Sequence, residues 1–66
     1  MKIRVNGKER LVTESKTLKE IIEHDLKNSS FVVAELNGEI IRHHQWAETP
    51  LKNGDSLELV KLVAGG

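Results

Sequence analysis

Residues 51–66, "LKNGDSLELVKLVAGG", combine a turn, a strand and a final pair of glycines in one short stretch. The turn is predicted at residues 52–55, because Gly54 tolerates a positive φ and the Asp55 carboxylate can accept a hydrogen bond from nearby backbone. A strand is predicted over residues 56–63, since apolar and charged residues alternate with the period of a half-buried strand. This strand leads directly into the glycines.

The terminal glycines have no side chain to pack against anything. Gly65 and Gly66 therefore sample most of φ/ψ space and have the narrowest possible cross-section. A flexible arm over residues 63–66 could thread Ala64 and Gly65 through a slit in another protein and present the Gly66 carboxylate there. The alternative is a frayed end without function. The position directly behind a strand of a small domain favours the functional interpretation.

The N-terminal third predicts a β-hairpin. Residues 1–5, "MKIRV", alternate apolar and basic side chains, and residues 8–14, "KERLVTE", return after Asn6-Gly7. Asn-Gly is a strong hairpin signal because both residues tolerate positive φ.

The register of this hairpin has two solutions. A two-residue turn would place Val12 on the face of Ile3, whereas a bulged three-residue turn would place Leu11 there. We favour the bulge, because it pairs Ile3 with Leu11 rather than with Arg10.

A helix is predicted from Thr17 onward. Thr17 and Glu20 fit a capping box, in which each side chain accepts a hydrogen bond from a free backbone N–H. Asn28, Ser29 and Ser30 form a plausible stop. The apolar stripe of this helix, with helical spacing, is Leu18, Ile21, Ile22 and Leu26.

Two further strands are predicted around a second Asn-Gly turn, Asn37-Gly38. The first covers residues 31–36, and a short one covers residues 39–41. In the first, Val32, Ala34 and Leu36 are expected on one face, and Val33 and Glu35 on the other. A hairpin followed by a helix that buries its stripe on a sheet gives an α+β fold.

The segment from Arg42 to Leu51 is polar and irregular. One turn of helix is expected around Gln45–Glu48. Trp46 is expected to plug the edge of the core, with a partner contact as the alternative.

Composition restricts the possible functions. Sixty-six residues suffice for one small domain without a deep active site, so an enzyme acting alone is not expected. Ten basic residues balance ten acidic ones, and Phe31 and Trp46 are the only aromatics, which argues against nucleic-acid binding. No membrane-spanning stretch or signal pattern is present, so the expected location is cytoplasmic.

The chain offers no convincing metal or catalytic site. It has no cysteine, which excludes disulfides, thiolate ligands and cysteine nucleophiles. His43 and His44 are adjacent, point apart and have no third ligand at suitable spacing. His24 lies one turn after Glu20 and is expected to form a helix-surface pair with it. Neither a metal nor a cofactor is predicted.

The whole chain resembles the β-grasp proteins, and the nearest resemblance is to the ThiS-like sulfur carriers of thiamine biosynthesis. The resemblance rests on "VAELNGEII" (residues 33–41), on Trp46 about eight residues after its turn, and on "LKNGDSLELVKLVAGG". The last segment is similar to the final strand and Gly-Gly tail of ubiquitin and its prokaryotic relatives. The implied fold is a mixed sheet of four or five strands packed on one main helix, in a single domain of residues 1–66.

The resemblance implies a carrier that is a co-substrate, with Gly66 as its reactive residue. An E1-like adenylating enzyme would join the Gly66 carboxylate to AMP. A persulfide from a sulfur donor, such as a cysteine desulfurase, would displace AMP, and reductive release would leave a thiocarboxylate. Thiazole synthase would then take the sulfur. The absence of cysteine fits, because sulfur could be carried only on the chain terminus.

A docking surface is expected beside the tail. If Leu57 and Leu59 face the helix, Glu58, Val60 and Leu62 lie on the outer face of the sheet. Exposed apolar residues beside a functional tail suggest partner docking. Scattered surface apolar residues are the alternative.

Three other functions remain open. The carrier could serve molybdopterin, cysteine or another sulfur-containing product. The chain could be a ubiquitin-like modifier that is joined through Gly66 to a lysine. It could also be an interaction module whose tail is incidental. The mass of the processed protein separates a sulfur carrier from a modifier. Deletion of Gly66 tests the interaction module, which should survive the loss.

Overall fold

The computed structural model describes residues 1–14, 16–26 and 31–62. In these ranges the chain forms five strands, one α-helix and a short 3-10 helix. The strands are β1 (Lys2–Val5), β2 (Lys8–Leu11), β3 (Val32–Leu36), β4 (Glu39–Ile41) and β5 (Ser56–Lys61). Helix α1 spans Leu18–Asp25 and the 3-10 helix spans His43–Glu48. The predicted α+β architecture, with a sheet packed on one main helix, is confirmed.

The strands form a single mixed sheet in the order β2-β1-β5-β3-β4. The last strand in sequence, β5, lies in the middle of this sheet. It runs parallel to β1 and antiparallel to β3. The strand that precedes the glycine tail is therefore hydrogen-bonded on both sides.

The hydrophobic core lies between the sheet and α1. Three of the four predicted helix-stripe residues are buried, and the fourth, Leu26, packs against the core partly exposed. Ala34 is fully buried, and Val32 and Leu36 pack partly buried against the core, so these three residues share one face of β3 as predicted. The buried apolar residues are Ile3, Val5, Val12, Leu18, Ile21, Ile22, Ala34, Trp46, Leu51, Leu57 and Leu59.

The predicted capping box at the start of α1 is present. The Thr17 side chain accepts a hydrogen bond from the backbone N–H of Glu20, and the Glu20 carboxylate accepts one from the N–H of Thr17 at 2.9 Å. The bond from the Thr17 backbone is the main reason that the pKa of Glu20 lies below its ordinary value. The helix ends at Asp25 with Leu26 as its cap, and the predicted stop at 28–30 lies outside the described residues.

The predicted bulge in the first hairpin is wrong. Ile3 lies opposite Arg10 across a two-residue turn, in which Asn6 and Gly7 have φ of 51° and 83°. This register buries Val12 and leaves Leu11 77% exposed. The Arg10 side chain lies on the helix-facing side of the sheet, where its guanidinium donates a hydrogen bond to Asp25 at the end of α1. The ion pair between Arg10 on the sheet and Asp25 on the helix thus compensates for a charged residue opposite Ile3.

The segment between β4 and β5 crosses the edge of the core. Its 3-10 helix is longer than the single turn expected around Gln45–Glu48. Trp46 is buried, and its Nε1 donates a hydrogen bond to the carbonyl of Ile41 at 3.0 Å. The prediction that Trp46 closes the edge of the core is confirmed.

Candidate functional site

The candidate site is the C-terminal end of β5 together with the sheet face beside it. The backbone N–H of Leu62 donates to the carbonyl of Phe31 at 2.9 Å. The chain is therefore held by the sheet up to Leu62. The predicted reactive residue Gly66 and the predicted threading residues Gly65 and Ala64 lie outside the described residues.

Two turn asparagines hold β5 in place. The Asn6 side-chain carbonyl accepts a hydrogen bond from the N–H of Leu59 at 2.8 Å, and that of Asn37 accepts one from the N–H of Ser56 at 2.9 Å. Both asparagines have a φ of 51° in their turns. The sequence pattern predicts both asparagines only as turn residues. Each turn also fastens the strand that leads to the tail.

The turn before β5 is fastened in the same way. The Asp55 carboxylate accepts hydrogen bonds from the backbone N–H of Lys52 at 2.7 Å and from the Asn37 side-chain amide at 2.9 Å. Gly54 has the predicted positive φ, 91°, and its N–H donates to the carbonyl of Lys2. The turn is thus attached to the neighbouring strand and to the second hairpin.

The outer face of the sheet carries the predicted docking residues. Leu57 and Leu59 are buried on the helix side, so Glu58 and Val60 point to the opposite side. Val60 is 50% exposed and Leu62 is 52% exposed. Their predicted exposure is confirmed, and their use in docking stays a prediction.

Three further residues lie on this face, and none of them was predicted as a docking residue. Glu35 on β3 lies directly opposite Glu58 on β5. On the other flank of β3, Ile40 on β4 lies opposite Glu35. Ile40 and Phe31 are 67% and 60% exposed. Alternation within β3 placed Glu35 on the outer face, but its neighbours depend on the register between strands, which local patterns do not show.

A groove of about 230 Å³ lies at the other end of β5 from the tail. It opens between β1, β2 and the turn before β5. Its lining consists largely of charged and polar residues, which include Lys2, Arg4, Glu9 and Asp55.

The histidines form no catalytic or metal cluster among the described residues. His43 packs edge-on against Trp46, with ring centroids 4.6 Å apart. His24 contacts Asp25 at 3.0 Å, so the expected pairing with Glu20 is wrong, because Glu20 bonds to Thr17 in the capping box. In the part of the chain that the structure describes, no three His, Asp or Glu side chains are arranged for a metal ion.

No helix among the described residues has the length and apolar character that a membrane span requires.

Comparison with known families gives a match over nearly the whole chain. The model of the ThiS family matches residues 3–66. The crystal structure of the thiamine biosynthesis protein ThiS from Geobacter metallireducens superposes with a TM-score of 0.83 at 32% sequence identity, and the match covers 100% of both chains. The β-grasp fold that the resemblance implied is thereby confirmed.

Two relatives from other organisms match as well. A protein of Trieres chinensis named uncharacterized protein ycf40 is 32% identical over 62 residues, which cover 94% of this chain and 85% of the relative. A thiazole synthase of Paramagnetospirillum magneticum is 33% identical over 66 residues. That match covers 100% of this chain and only 20% of the synthase.

Proposed function

Because the chain belongs to the ThiS family of sulfur carriers in thiamine biosynthesis, we propose that the carboxylate of Gly66 carries the sulfur. The observation that supports this most is the family match through residue 66, which includes the glycine tail. The body of the protein positions the tail: β5 lies between β1 and β3, and on the β3 side it is held up to Leu62, whose N–H donates to the carbonyl of Phe31. The carrier is thus a co-substrate, and catalysis belongs to its partners.

Activation of the carboxylate is the first proposed step. A carboxylate is a poor electrophile, so one of its oxygens attacks the α-phosphorus of ATP on an E1-like adenylating enzyme. Pyrophosphate leaves, and the product is a mixed anhydride of Gly66 and AMP. Because this step consumes ATP, the proposal places the reaction in the cytoplasm.

Sulfur transfer is the second proposed step. The terminal sulfur of a persulfide, supplied by a donor such as a cysteine desulfurase, attacks the carbonyl carbon of Gly66 and AMP leaves. The resulting acyl disulfide is cleaved by a thiol, which becomes part of a new disulfide while Gly66 keeps one sulfur as a thiocarboxylate. The proposed steps require no acid or base from the carrier itself, because a thiocarboxylate is nucleophilic without one.

Thiazole synthase is the proposed acceptor of the sulfur. A stretch similar to this chain occupies a fifth of the thiazole synthase of Paramagnetospirillum magneticum. A carrier-like segment and a synthase that share one polypeptide are expected to act on one another, because tethering gives a high effective concentration. This supports the same pairing here between separate molecules.

Docking through the outer face is the proposed way in which partners hold the carrier. Val60 and Leu62 are half-exposed at the end of the described chain, where Leu62 is the last described residue, and Glu58 is exposed on the same face. Four residues beyond Leu62 span at most about 14 Å when fully extended. A partner that binds this face must therefore have its reactive centre within that distance of Leu62.

One experiment tests the proposed function directly. The protein is incubated with ATP, an adenylating enzyme from the same genome and a persulfide donor, and its intact mass is measured. We expect one oxygen to be replaced by sulfur, and a variant without Gly66 to remain unchanged. An unchanged mass in the wild type contradicts the proposal, and a covalent adduct with another protein identifies a modifier instead.

A further inference from the structure

The strand that leads to the tail is longer than the neighbour that covers one of its flanks. Asn6 donates its backbone N–H to the carbonyl of Leu57, and its side chain accepts the N–H of Leu59 at 2.8 Å. The pairing of β1 with β5 ends at Leu57. Among the described residues, Asn6 is therefore the last residue of the first hairpin that bonds to this flank, whereas β5 continues to Lys61.

Two main-chain groups of β5 have no partner on this flank. Odd-numbered residues of β5 direct their N–H and C=O groups toward β1, whereas the even-numbered ones, and Leu62 after them, bond toward β3. Within residues 1–14, 16–26 and 31–62, neither the carbonyl of Leu59 nor the N–H of Lys61 has a hydrogen-bond partner. Unpaired groups of this kind make a strand edge a template for another strand.

The surroundings of these two groups are open. Gly7 follows Asn6 in the adjacent turn, and apart from its chain neighbours no atom lies within 4 Å of the position that a Cβ would occupy there. Lys61 is exposed, and so are Val60 and Leu62 on either side of it. One residue of an extended chain parallel to β5 can donate to the Leu59 carbonyl and accept from the Lys61 N–H at once.

We infer that thiazole synthase adds an extended backbone segment to β5 at Leu59 and Lys61, beside the tail whose sulfur it accepts. This inference rests on the proposed function. The enzyme is chosen because a stretch similar to this chain lies within the thiazole synthase of Paramagnetospirillum magneticum. In strand addition, main-chain hydrogen bonds supply affinity. At this position they also align the end of the carrier with the enzyme.

Hydrogen exchange measured by NMR tests the inference on the unaltered protein. In the free carrier the Lys61 N–H should exchange faster than the N–H of Leu59, which Asn6 already holds. Saturation with thiazole synthase should slow exchange at Lys61 by at least about tenfold. Unchanged exchange at Lys61 in the complex overturns the inference. Protection of Lys61 that rises with carrier concentration in the absence of the synthase indicates a second copy on this edge, and it overturns the inference as well.

A proline at position 61 removes the proposed donor from the carrier. Strands tolerate proline where the replaced N–H faces away from their own ladder, as that of Lys61 does. Val60 is already extended, as the residue before a proline must be. The matched control is Lys61→Gln, which removes the charge but retains the N–H. We expect Lys61→Pro to bind the synthase about tenfold more weakly than Lys61→Gln, as measured by calorimetry.

Equal affinities of the two variants for the synthase overturn the inference. Thermal melting of both free variants checks that the proline leaves the fold intact. If Lys61→Pro melts below Lys61→Gln, its weaker binding reflects the fold, and hydrogen exchange at Lys61 in the wild type decides the question.

The proposed function fails independently of this inference. If the wild-type protein gains no sulfur with ATP, adenylating enzyme and donor, the proposed function is wrong. If it gains sulfur and binds thiazole synthase without protection of the Lys61 N–H, only the inference about the edge of β5 is wrong.

Discussion

Arg10 on β2 and Asp25 in the last turn of α1 join the edge of the sheet to the helix. Arg10 Nη1 donates to Asp25 Oδ1 at 2.9 Å, and Nη2 donates to Oδ2. The Asp25 side chain is only 17% exposed. The Arg10 hydrogen bonds are the largest reason that the pKa of Asp25 lies below its ordinary value, although partial burial acts in the opposite direction.

Replacement of Asp25 by Asn should reduce the free energy of unfolding by about 1 kcal/mol at pH 7. A carboxylate with a lowered pKa stabilises the fold fully above the pKa of the unfolded chain, which is about 3.9 for Asp. That contribution is lost as the pH falls through the lower pKa of the folded state. The difference between wild type and variant should therefore be constant above about pH 5 and shrink below about pH 4.

Urea unfolding at a series of pH values measures this difference. The matched control is Glu23→Gln, an exposed position on the same helix. A difference that stays constant down to about pH 2 would show that the ion pair does not cause the loss.

The two turn asparagines should respond differently to replacement by Asp. Among the described residues, the Asn6 side chain accepts a hydrogen bond from Leu59 and donates none, and an Asp carboxylate can accept the same bond. The Asn37 amide also donates to Asp55 at 2.9 Å, so Asn37→Asp places two carboxylates together. We expect Asn37→Asp to lower the free energy of unfolding by about 1 kcal/mol more than Asn6→Asp does. Equal losses in urea unfolding would contradict this role of Asn37.

Val60→Asp should leave a folded protein that binds the adenylating enzyme at least about tenfold more weakly. The side chain of Val60 is half-exposed, so a charge there costs the free protein little but must be desolvated on docking. Leu11→Asp is the matched control, because Leu11 is 77% exposed on an edge strand away from the tail. Circular dichroism checks the fold and calorimetry measures binding. If Val60→Asp binds like the control, Val60 is not in the docking surface.

Gly65→Val should slow adenylation of Gly66 by about a hundredfold, because a branched side chain obstructs a narrow passage and misplaces the carboxylate. Gly65→Ala should have a smaller effect. Pyrophosphate release under saturating carrier measures the rate. A chain that ends at Leu62 should still compete for the enzyme, since it keeps the outer face. Normal turnover of Gly65→Val would argue against passage of the tail through a tight channel.

Local patterns predicted the helix, the turns and most strand residues. The stripe on α1 and the Thr17–Glu20 capping box depend on residues within one or two turns, so they can be recognised in the sequence. The Asn-Gly turns are local in the same sense. Trp46 could be assigned to the core because a large aromatic residue is rarely left exposed in a small domain.

Features that depend on distant residues were missed. The register of the first hairpin depends on Asp25, which follows Arg10 by fifteen positions and forms an ion pair with it. The pairing of Glu35 with Glu58 depends on how β3 aligns with β5. The hydrogen bond from Leu59 to Asn6 joins residues 53 positions apart. Alternation within one strand carries no information about any of these partners.

The central position of β5 has a mechanical consequence. A partner that pulls on the chain at Leu62, along the axis of the strand, must slide β5 past β1 on one side and β3 on the other. Hydrogen bonds on both flanks then share the load and have to break together, instead of opening one after another from an edge. The central position of β5 is therefore expected to protect the domain against unfolding when a force acts on its C-terminal end.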